Sequence, residues 1–395
     1  MNISDKIKKL AKEYQNEIIE IRRHIHRFPE LSFNETETSK FICSKLKEYG
    51  IHFKTGYAKT GIIADINGKE SGGKMIALRS DMDALPIIEK NTFHYKSENS
   101  GIMHACGHDA HIASLLGTAK ILNHIKDSFK GTIRLIFQPA EEKIPGGALQ
   151  MLNDGIFDDK TPDFVIAQHV DPLIECGKMG VKPGMYMAST DEIYLTISGK
   201  GGHAAIPNII TDNVLIASHI IISLQQIVSR KSNPAIPSVL SFGKVIADGA
   251  TNVIPNEVYI EGTFRTFNEE WRAKAHQEIK KIATEMAISM GAKCEVIIKK
   301  GYPYLVNDNK LAEKIFNLSG EFVGADNVED LELRMTAEDF SYFSQKYPSV
   351  LYRLGVGNNA KGINAPLHSD LFNIDENALL LGSGLMAWLC ISILK

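Results

Sequence analysis

The chain has no run of about eighteen apolar residues, the length a helix needs to cross a bilayer, so no membrane span is expected. Cysteine is scarce: Cys43, Cys106, Cys176, Cys294 and Cys390 are odd in number and far apart. Such spacing is no disulfide framework, and it suits a reducing cytoplasm in which thiols stay free. A basic excess is also lacking. The formal net charge is −3, which argues against a nucleic-acid partner. The lysines around 293–300 have apolar residues between them and read as a solvated strand face. The first twelve residues carry lysines but neither an apolar core nor a cleavage site, so they do not read as a signal peptide. No internal repeat or low-complexity segment is visible. What remains is an ordinary globular composition, 44% hydrophobic and 23% charged over 395 residues, long enough for two or three domains.

Residues 4–27 read as a charged amphipathic helix that stops at Phe28-Pro29, and 34–49 as a second helix ending at Gly50. Strands are expected at 61–66, 75–79, 132–137 and 164–167, with helices at 110–125 and 147–153. Strands nearly continuous in apolar residues, alternating with helices, predict an α/β sheet covered on both faces. Asp81-Met82-Asp83, Glu141-Glu142 and His169 would each follow one of these strands. Ligands gather at the carboxyl ends of strands in such sheets, so one crevice can collect all three. Past Lys182-Pro183-Gly184 the pattern changes. Strands at 193–198, 239–244, 258–264 and 294–298, with helices at 214–229 and 270–290, give a β-α-β-β-α-β order. That is the order of a ferredoxin-like α+β unit. The expected organisation is therefore a mixed-sheet α/β domain over 1–183 and 298–395, covered by helices and closed by a helix at 376–394. A ferredoxin-like domain over 184–297 is inserted in it.

The segment Met103-His104-Ala105-Cys106-Gly107-His108-Asp109-Ala110-His111 puts one thiol and three imidazoles within nine residues. Further on, Gln138-Pro139-Ala140-Glu141-Glu142 sets two adjacent carboxylates at the end of an apolar run. Thiolate, imidazole and carboxylate together are the ligand set of a borderline-soft divalent metal, most simply zinc. A spare Glu beside a ligand Glu is what metal-assisted hydrolysis needs, because water must lose a proton as it attacks. Each residue also has a plainer reading. Cys106 and His108 could be a buried thiol and a satisfied histidine, though their spacing among glycines favours ligation. His104 and His111 can simply support the helix start. Glu141 and Glu142 could be a helix N-terminus, where acids are favourable, but Pro139 stops the strand and aims the next side chains at its end. Asp81 and Asp83 point the same way. One of them could orient a metal-bound imidazole, the other cap a turn. His169 and His368 are weak signals alone, as is His203 in its Gly-Gly-His loop. Asn252 and Arg265 are ordinary surface chemistry or a grip on a carboxylate, for which arginine's planar fork is suited.

Taken together, the segments Arg22 to Ser32, Arg79 to Ile87, Met103 to His111, Gln138 to Glu142, Gly199 to Pro207, Asn252 to Pro255, Gly262 to Phe267, Glu338-Asp339-Phe340 and Leu367-His368-Ser369 go beyond generic patterns. In this order the chain resembles the cocatalytic-metal amidohydrolases and carboxypeptidases related to aminoacylase. It is most similar to the branch containing hippurate hydrolase, indoleacetyl-amino-acid hydrolases and N-acetyldiaminopimelate deacetylase. The resemblance implies that Cys106, His108, Glu142, His169 and His368 bind two divalent ions, with the thiolate shared. It implies that Glu141 is the general base, Asp83 a carboxylate supporting the site and His203 a lid-domain group that stabilises the oxyanion. Asn252 and Arg265 match positions that hold the substrate carboxylate, and the inserted domain matches the family's lid and dimerisation domain. Other branches have a histidine where Asp81 stands and an aspartate where Cys106 stands, which leaves zinc, manganese, nickel and cobalt as candidate metals.

The expectation is a cytoplasmic, homodimeric amidohydrolase that cleaves N-acyl-L-amino acids to a carboxylate and a free amino acid. The alternatives are a dipeptidase or carboxypeptidase acting on short peptides and an N-acetyldiaminopimelate deacetylase. No nucleic-acid or membrane partner is expected.

Overall fold

A computed structural model describes residues 2–70 and 72–394. Helices α1 (Ile3–Arg27) and α2 (Thr36–Glu48) lead into strands β1 (Phe53–Tyr57), β2 (Gly61–Asn67) and β3 (Met75–Asp81). Helix α3 (His108–His124), strand β4 (Thr132–Gln138), helix α4 (Gly147–Asn153) and strands β5 (Phe164–Glu175), β6 (Met179–Val181) and β7 (Gly184–Met187) follow. Next come β8 (Asp191–Ser198), β9 (Gly202–His203), α5 (Asn213–Leu224), β10 (Ser238–Ile246), β11 (Val253–Ile254), β12 (Glu257–Thr266), α6 (Glu269–Ser289) and β13 (Lys293–Lys300). The chain ends with β14 (Leu305–Asn307), α7 (Asn309–Val323), β15 (Val328–Asp330), the one-turn α8 (Ser341–Ser344), β16 (Ser349–Gly357) and α9 (Ala378–Leu394). It divides into two compact units. The first comprises Met1–Tyr186, Val306–Leu333 and Asp339–Lys395, the second Met187–Leu305 and Arg334–Glu338.

The first unit is built on an eight-stranded sheet in the order β1-β2-β4-β3-β5-β16-β6-β15. At its centre β4, β3, β5 and β16 run parallel, and β2 and β6 join them antiparallel, so the sheet is mixed. Strands β3 and β16 are buried along their whole length, which is why apolar residues follow one another without alternation over Met75–Leu78 and Val350–Tyr352. One face is covered by α3, buried on nearly every side, together with α1 and α9. These helices meet closely at Gly117, where a Cβ would fall 2.5 Å from Ile18 Cδ1 and 2.9 Å from Ser383 Cβ.

Two expectations need correction. His169 does not follow its strand. Beyond residue 167, β5 continues to Glu175 because β16, an element not anticipated from the sequence, pairs alongside it and places Arg353 opposite His169. The apolar helix expected over 214–229 ends at Leu224, and a π-helical turn follows at Ile227–Lys231.

The second unit is a four-stranded antiparallel sheet, β10-β12-β8-β13, with α5 and α6 packed on it around Ile193, Leu195, Ile197, Ile260 and Phe264. This strand order is the ferredoxin-like arrangement read from the sequence. A separate two-stranded ribbon pairs β9 with β11.

Gly117→Val should force the α1, α3 and α9 contact apart. Overpacking of this kind costs about 1–3 kcal/mol, measurable as a lowered urea midpoint with an unchanged slope. An unaltered midpoint would mean that the three helices are not closely packed there.

Candidate metal centre

Three parallel strands deliver the site. Asp81 ends β3 in register with Gln138, which ends β4, and His169 extends two residues beyond the Arg79–Ala167 pair on β5. Between β3 and α3 the chain turns through Cys106-Gly107-His108. Gly107 has φ 81°, and a Cβ there would lie 2.4 Å from Val170 Cγ2, so only glycine lets the turn approach β5. On the other side, Ala140 adopts a left-handed φ of 53° that swings Glu141 and Glu142 off the end of β4. His368 arrives on a loop of its own, also left-handed at φ 64°, and its backbone N–H donates to the Ala105 carbonyl at 2.8 Å.

These turns bring the five expected ligands together in one place. Cys106 Sγ lies 3.6 Å from His169 Nε2, and the ligand atoms of Cys106, His108 and His169 fall within 4.8 Å of one another. A second group within the same limit comprises Cys106, Glu142 and His368. Cys106 belongs to both. The histidine tautomers follow from their backbone partners. His108 Nδ1 donates to the Asp83 carbonyl at 2.8 Å and His169 Nδ1 donates to the Val170 carbonyl at 2.7 Å. In both rings the Nε2 lone pair is thereby aimed inward. His108 Nε2 and Glu142 Oε1 are buried 3.9 Å apart with neither engaged in a hydrogen bond. Buried polar atoms are ordinarily satisfied, and a soft-to-borderline cation fits this donor set.

His104 and His111 do not join the groups that contain Cys106. His111 Nδ1 donates to Asp81 Oδ1 at 2.6 Å, and its Nε2 accepts the Val170 N–H at 2.9 Å, so both nitrogens are already used within the protein. Neither ring nitrogen of His104 has a hydrogen-bond partner among the described residues. Burial pushes its pKa down to about 3, which keeps it neutral.

Asp83 sits beneath the cluster. Its Oδ1 accepts the Glu141 N–H and its Oδ2 the Glu142 N–H, each at 3.0 Å, while Ser32 Oγ donates at 2.6 Å. Burial works against its charge, but the bond from His108 and these donors prevail and hold the carboxyl below its ordinary value. A second layer was not anticipated in detail. Asp339 accepts from Arg79 Nη2, Gln138 Nε2 and the Ala148 N–H, and its own N–H donates to Glu141 Oε1 at 3.3 Å. Arg79 Nη1 also donates to Asp81 at 2.7 Å. Glu338-Asp339-Phe340 was visible as a motif, but nothing in its spacing shows that it meets Gln138 some 200 residues away.

Electrostatically the cluster is arranged for a cation. Burial first, and the Glu142 charge second, push the Cys106 thiol up. A divalent ion reverses that balance and favours thiolate. His368, drawn by Cys106 and then Glu142, is raised to about 10.

The remaining expected residues lie in the second unit. His203 is exposed on β9, directly across the ribbon from Val253, and the Asn252 carbonyl accepts the Ala204 N–H at 3.0 Å. Arg265, on β12, donates through Nη1 to the Met335 carbonyl at 3.1 Å.

A mixed α/β sheet that carries a cysteine common to two candidate ligand groups, among imidazoles and carboxylates, has the make-up of a metal-dependent hydrolase site. Comparison with known proteins agrees. The model of peptidase family M20/M25/M40 matches residues 77–389, and the chain belongs to that family. N-acetyl-L-cysteine deacetylase of Bacillus subtilis is 41% identical over 93% of this chain and 86% of its own length. An N-acyl-L-amino acid amidohydrolase of Geobacillus stearothermophilus is 42% identical over 77% of this chain and 81% of its own. Among solved structures, a dinuclear metal binding peptidase of the M20 family from Bacillus subtilis superposes with a TM-score of 0.83 at 34% identity, covering 97% of this chain and 99% of that one. The protein is thus a metal-dependent hydrolase of the M20 family. No helix among the described residues is long and apolar enough to cross a membrane.

Asp83→Ala would leave two buried N–H groups without an acceptor, at about 1–3 kcal/mol each. Because the Asp83 pKa is lowered in the fold, its contribution is whole well above the ordinary value of 3.8 and is lost as pH falls through the folded value. Unfolding of the metal-free protein should therefore show a gap between wild type and variant that is wide near neutrality and narrows below pH 3.8. A gap independent of pH would contradict the charge assigned to Asp83.

Proposed function

We propose that this enzyme hydrolyses the amide bond of N-acyl-L-amino acids, releasing a carboxylate and a free amino acid. The observation that carries the reading is the pair of adjacent carboxylates Glu141-Glu142, which both reach the ligand group of His108, while only Glu142 also falls with Cys106. Glu142 joins Cys106 and His368 in a ligand group, while its neighbour Glu141 is held by the Asp339 N–H beside the cluster. The two relatives named above, a deacetylase and an N-acyl-amino-acid amidohydrolase, support the same chemistry.

In this reading Cys106, His108 and His169 hold one divalent ion, and Cys106, Glu142 and His368 the other. Zinc is the first candidate for a thiolate-containing set, with manganese, nickel and cobalt behind it. When bound, such ions polarise an acyl oxygen and acidify water. Glu141 takes the proton of the attacking water at its carboxylate and returns it to the leaving amine nitrogen. Asp83 keeps Glu141 and Glu142 in register during that exchange. His203, exposed on its ribbon, is assigned as a donor to the developing oxyanion. Asn252 and Arg265 are assigned to the substrate carboxylate. Arg265 is half-buried, spends one N–H on Met335 and feels the charge of Asp191 without a salt bridge to it among the described residues, which leaves its fork for an anion. Short peptides present the same amide and terminal carboxylate. The peptidase naming of the family favours them as a second substrate class.

Self-association through the second unit is part of this reading. On α5, Leu215 is exposed and Ile222 is 71% exposed, and Val245 and Ile246 are exposed on the edge strand β10. A surface of this kind fits burial against a second copy. Five free cysteines fit a cytoplasmic setting.

Two experiments test these assignments. Glu141→Gln should lower kcat by about 10²–10⁴-fold on a panel of N-acyl amino acids and dipeptides, while elemental analysis finds the wild-type content of metal. Full activity in this variant, or no turnover of any panel member by the metal-loaded wild type, would sink the reading. Separately, Ile222→Glu should convert a dimer to monomers in sedimentation without lowering the unfolding midpoint, and unchanged sedimentation would remove this face from the interface.

A further inference from the structure

Glu35 occupies the N-cap position of α2, yet its side chain makes no hydrogen bond to that helix. Acidic N-cap residues ordinarily accept from the first-turn N–H groups. Here that task falls to Glu30, whose Oε1 accepts the Glu37 N–H at 3.2 Å and whose Oε2 accepts the Thr38 N–H at 2.8 Å. Glu35 is fully buried and turned elsewhere. Its Oε1 accepts the N–H of Ala140 and the N–H of Phe33, both at 2.9 Å, and its Oε2 accepts from Thr60 Oγ1 at 2.8 Å.

Both residues that donate to this one oxygen are left-handed, Ala140 at φ 53° and Phe33 at φ 65°. Non-glycine residues hold that conformation at a cost of about 1–3 kcal/mol and keep it only where the surroundings over-determine it. Successive N–H groups around a left-handed residue form a concave nest that favours an anion. In this chain the three N–H groups of residues 140, 141 and 142 are divided between two carboxylates. Glu35 takes the first and Asp83 the other two. Asp83 was expected at the site, but Glu35 comes from a different segment and touches none of the ligand side chains.

We infer that Glu35 is a positioning residue for hydrolysis, which fixes the left-handed Ala140 and thereby the directions of Glu141 and Glu142. This rests on the roles assigned to those two residues above. The bond to Ala140 matters because rotation there would redirect the peptide that carries the base and the ligand together. What Glu35 supplies is an acceptor at Oε1 rather than a negative charge. Burial, followed by the Asp83 charge, raises its carboxyl to about 7, and the acid form keeps every contact. Oε1 still accepts both N–H groups, and a protonated Oε2 donates to Thr60 Oγ1. Glutamine reproduces this pattern, with its amide oxygen toward residues 33 and 140 and its Nε2 toward Thr60. Aspartate keeps the charge but draws its oxygens back by one methylene.

The test compares Glu35→Gln, Glu35→Asp and Glu35→Ala in the full chain. It reads kcat and KM on an N-acyl amino acid, zinc affinity by competition with a chromophoric chelator, and the thermal midpoint. Partners of this kind typically set metal affinity or rate by about 10–100-fold. Glu35→Asp and Glu35→Ala should lose about that much in kcat and in zinc affinity, with KM nearly unchanged, and Glu35→Gln should stay close to wild type in both. If Glu35→Ala does not fold, Glu35→Asp against Glu35→Gln carries the comparison. Loss of thermal midpoint alone, with kcat and zinc affinity intact in the Asp or Ala variant, would overturn the inference. So would an active Asp variant beside an impaired Gln variant. Zinc affinity is measured without substrate, so a wrong substrate assignment would leave that readout standing and would be recognised by inactivity of the wild type itself.

Discussion

The site depends on Asp83. One carboxylate accepts the N–H groups of both Glu141 and Glu142, and the carbonyl of the same residue accepts from His108 Nδ1. The end of β3, the turn after β4 and the first residue of α3 are thereby tied at a single point. Each of those segments brings something different: the end of β3 the accepting Asp83, the turn after β4 the two carboxylates of Glu141 and Glu142, and α3 the imidazole of His108. A buried aspartate left with such bonds unmade would be costly in itself, so fold and site stand or fall together there.

Around that point the histidines are sorted by what their second nitrogen does. Backbone carbonyls claim Nδ1 of His108 and His169 and free Nε2. In His111, Asp81 and the Val170 N–H claim both nitrogens. His111 therefore holds the peptide that follows His169 and has nothing left for a cation. Other branches of the resembled family place a histidine where Asp81 stands. Here Asp81 binds Arg79 and His111 instead, and the candidate ligand groups centre on Cys106. Asp81 is thus engaged in a hydrogen-bond network of its own.

The two units carry different physical burdens. The first buries charged groups such as Arg79, Asp81 and Asp339 and satisfies them with one another, which gives a rigid frame for a constellation that tolerates little displacement. The second has a small apolar core between a four-stranded sheet and two helices, and it leaves apolar side chains of α5 and β10 in solvent. Its residues His203, Asn252 and Arg265 are exposed or half-buried.

Much of this was legible along the chain. Helix α6 of the second unit, the apolar strands β2 to β4 and the candidacy of Cys106 and His108 as neighbours in one turn are local matters. Periodicity, a proline that stops a strand and a Cys-Gly-His turn all act within a few residues. The sequence by itself also determined that Glu141 and Glu142 stand at a strand end, because Pro139 cannot continue β4. Tertiary structure alone decided the rest. It lengthened β5 past His169, because the buried strand β16 pairs beside it. It brought His368 against Ala105, assigned His111 to support and recruited Asp339 and Glu35 from distant segments. The reason is physical. A ligand's chemistry resides in its own side chain, whereas a hydrogen-bond acceptor acquires its role only from the donor that the fold carries to it.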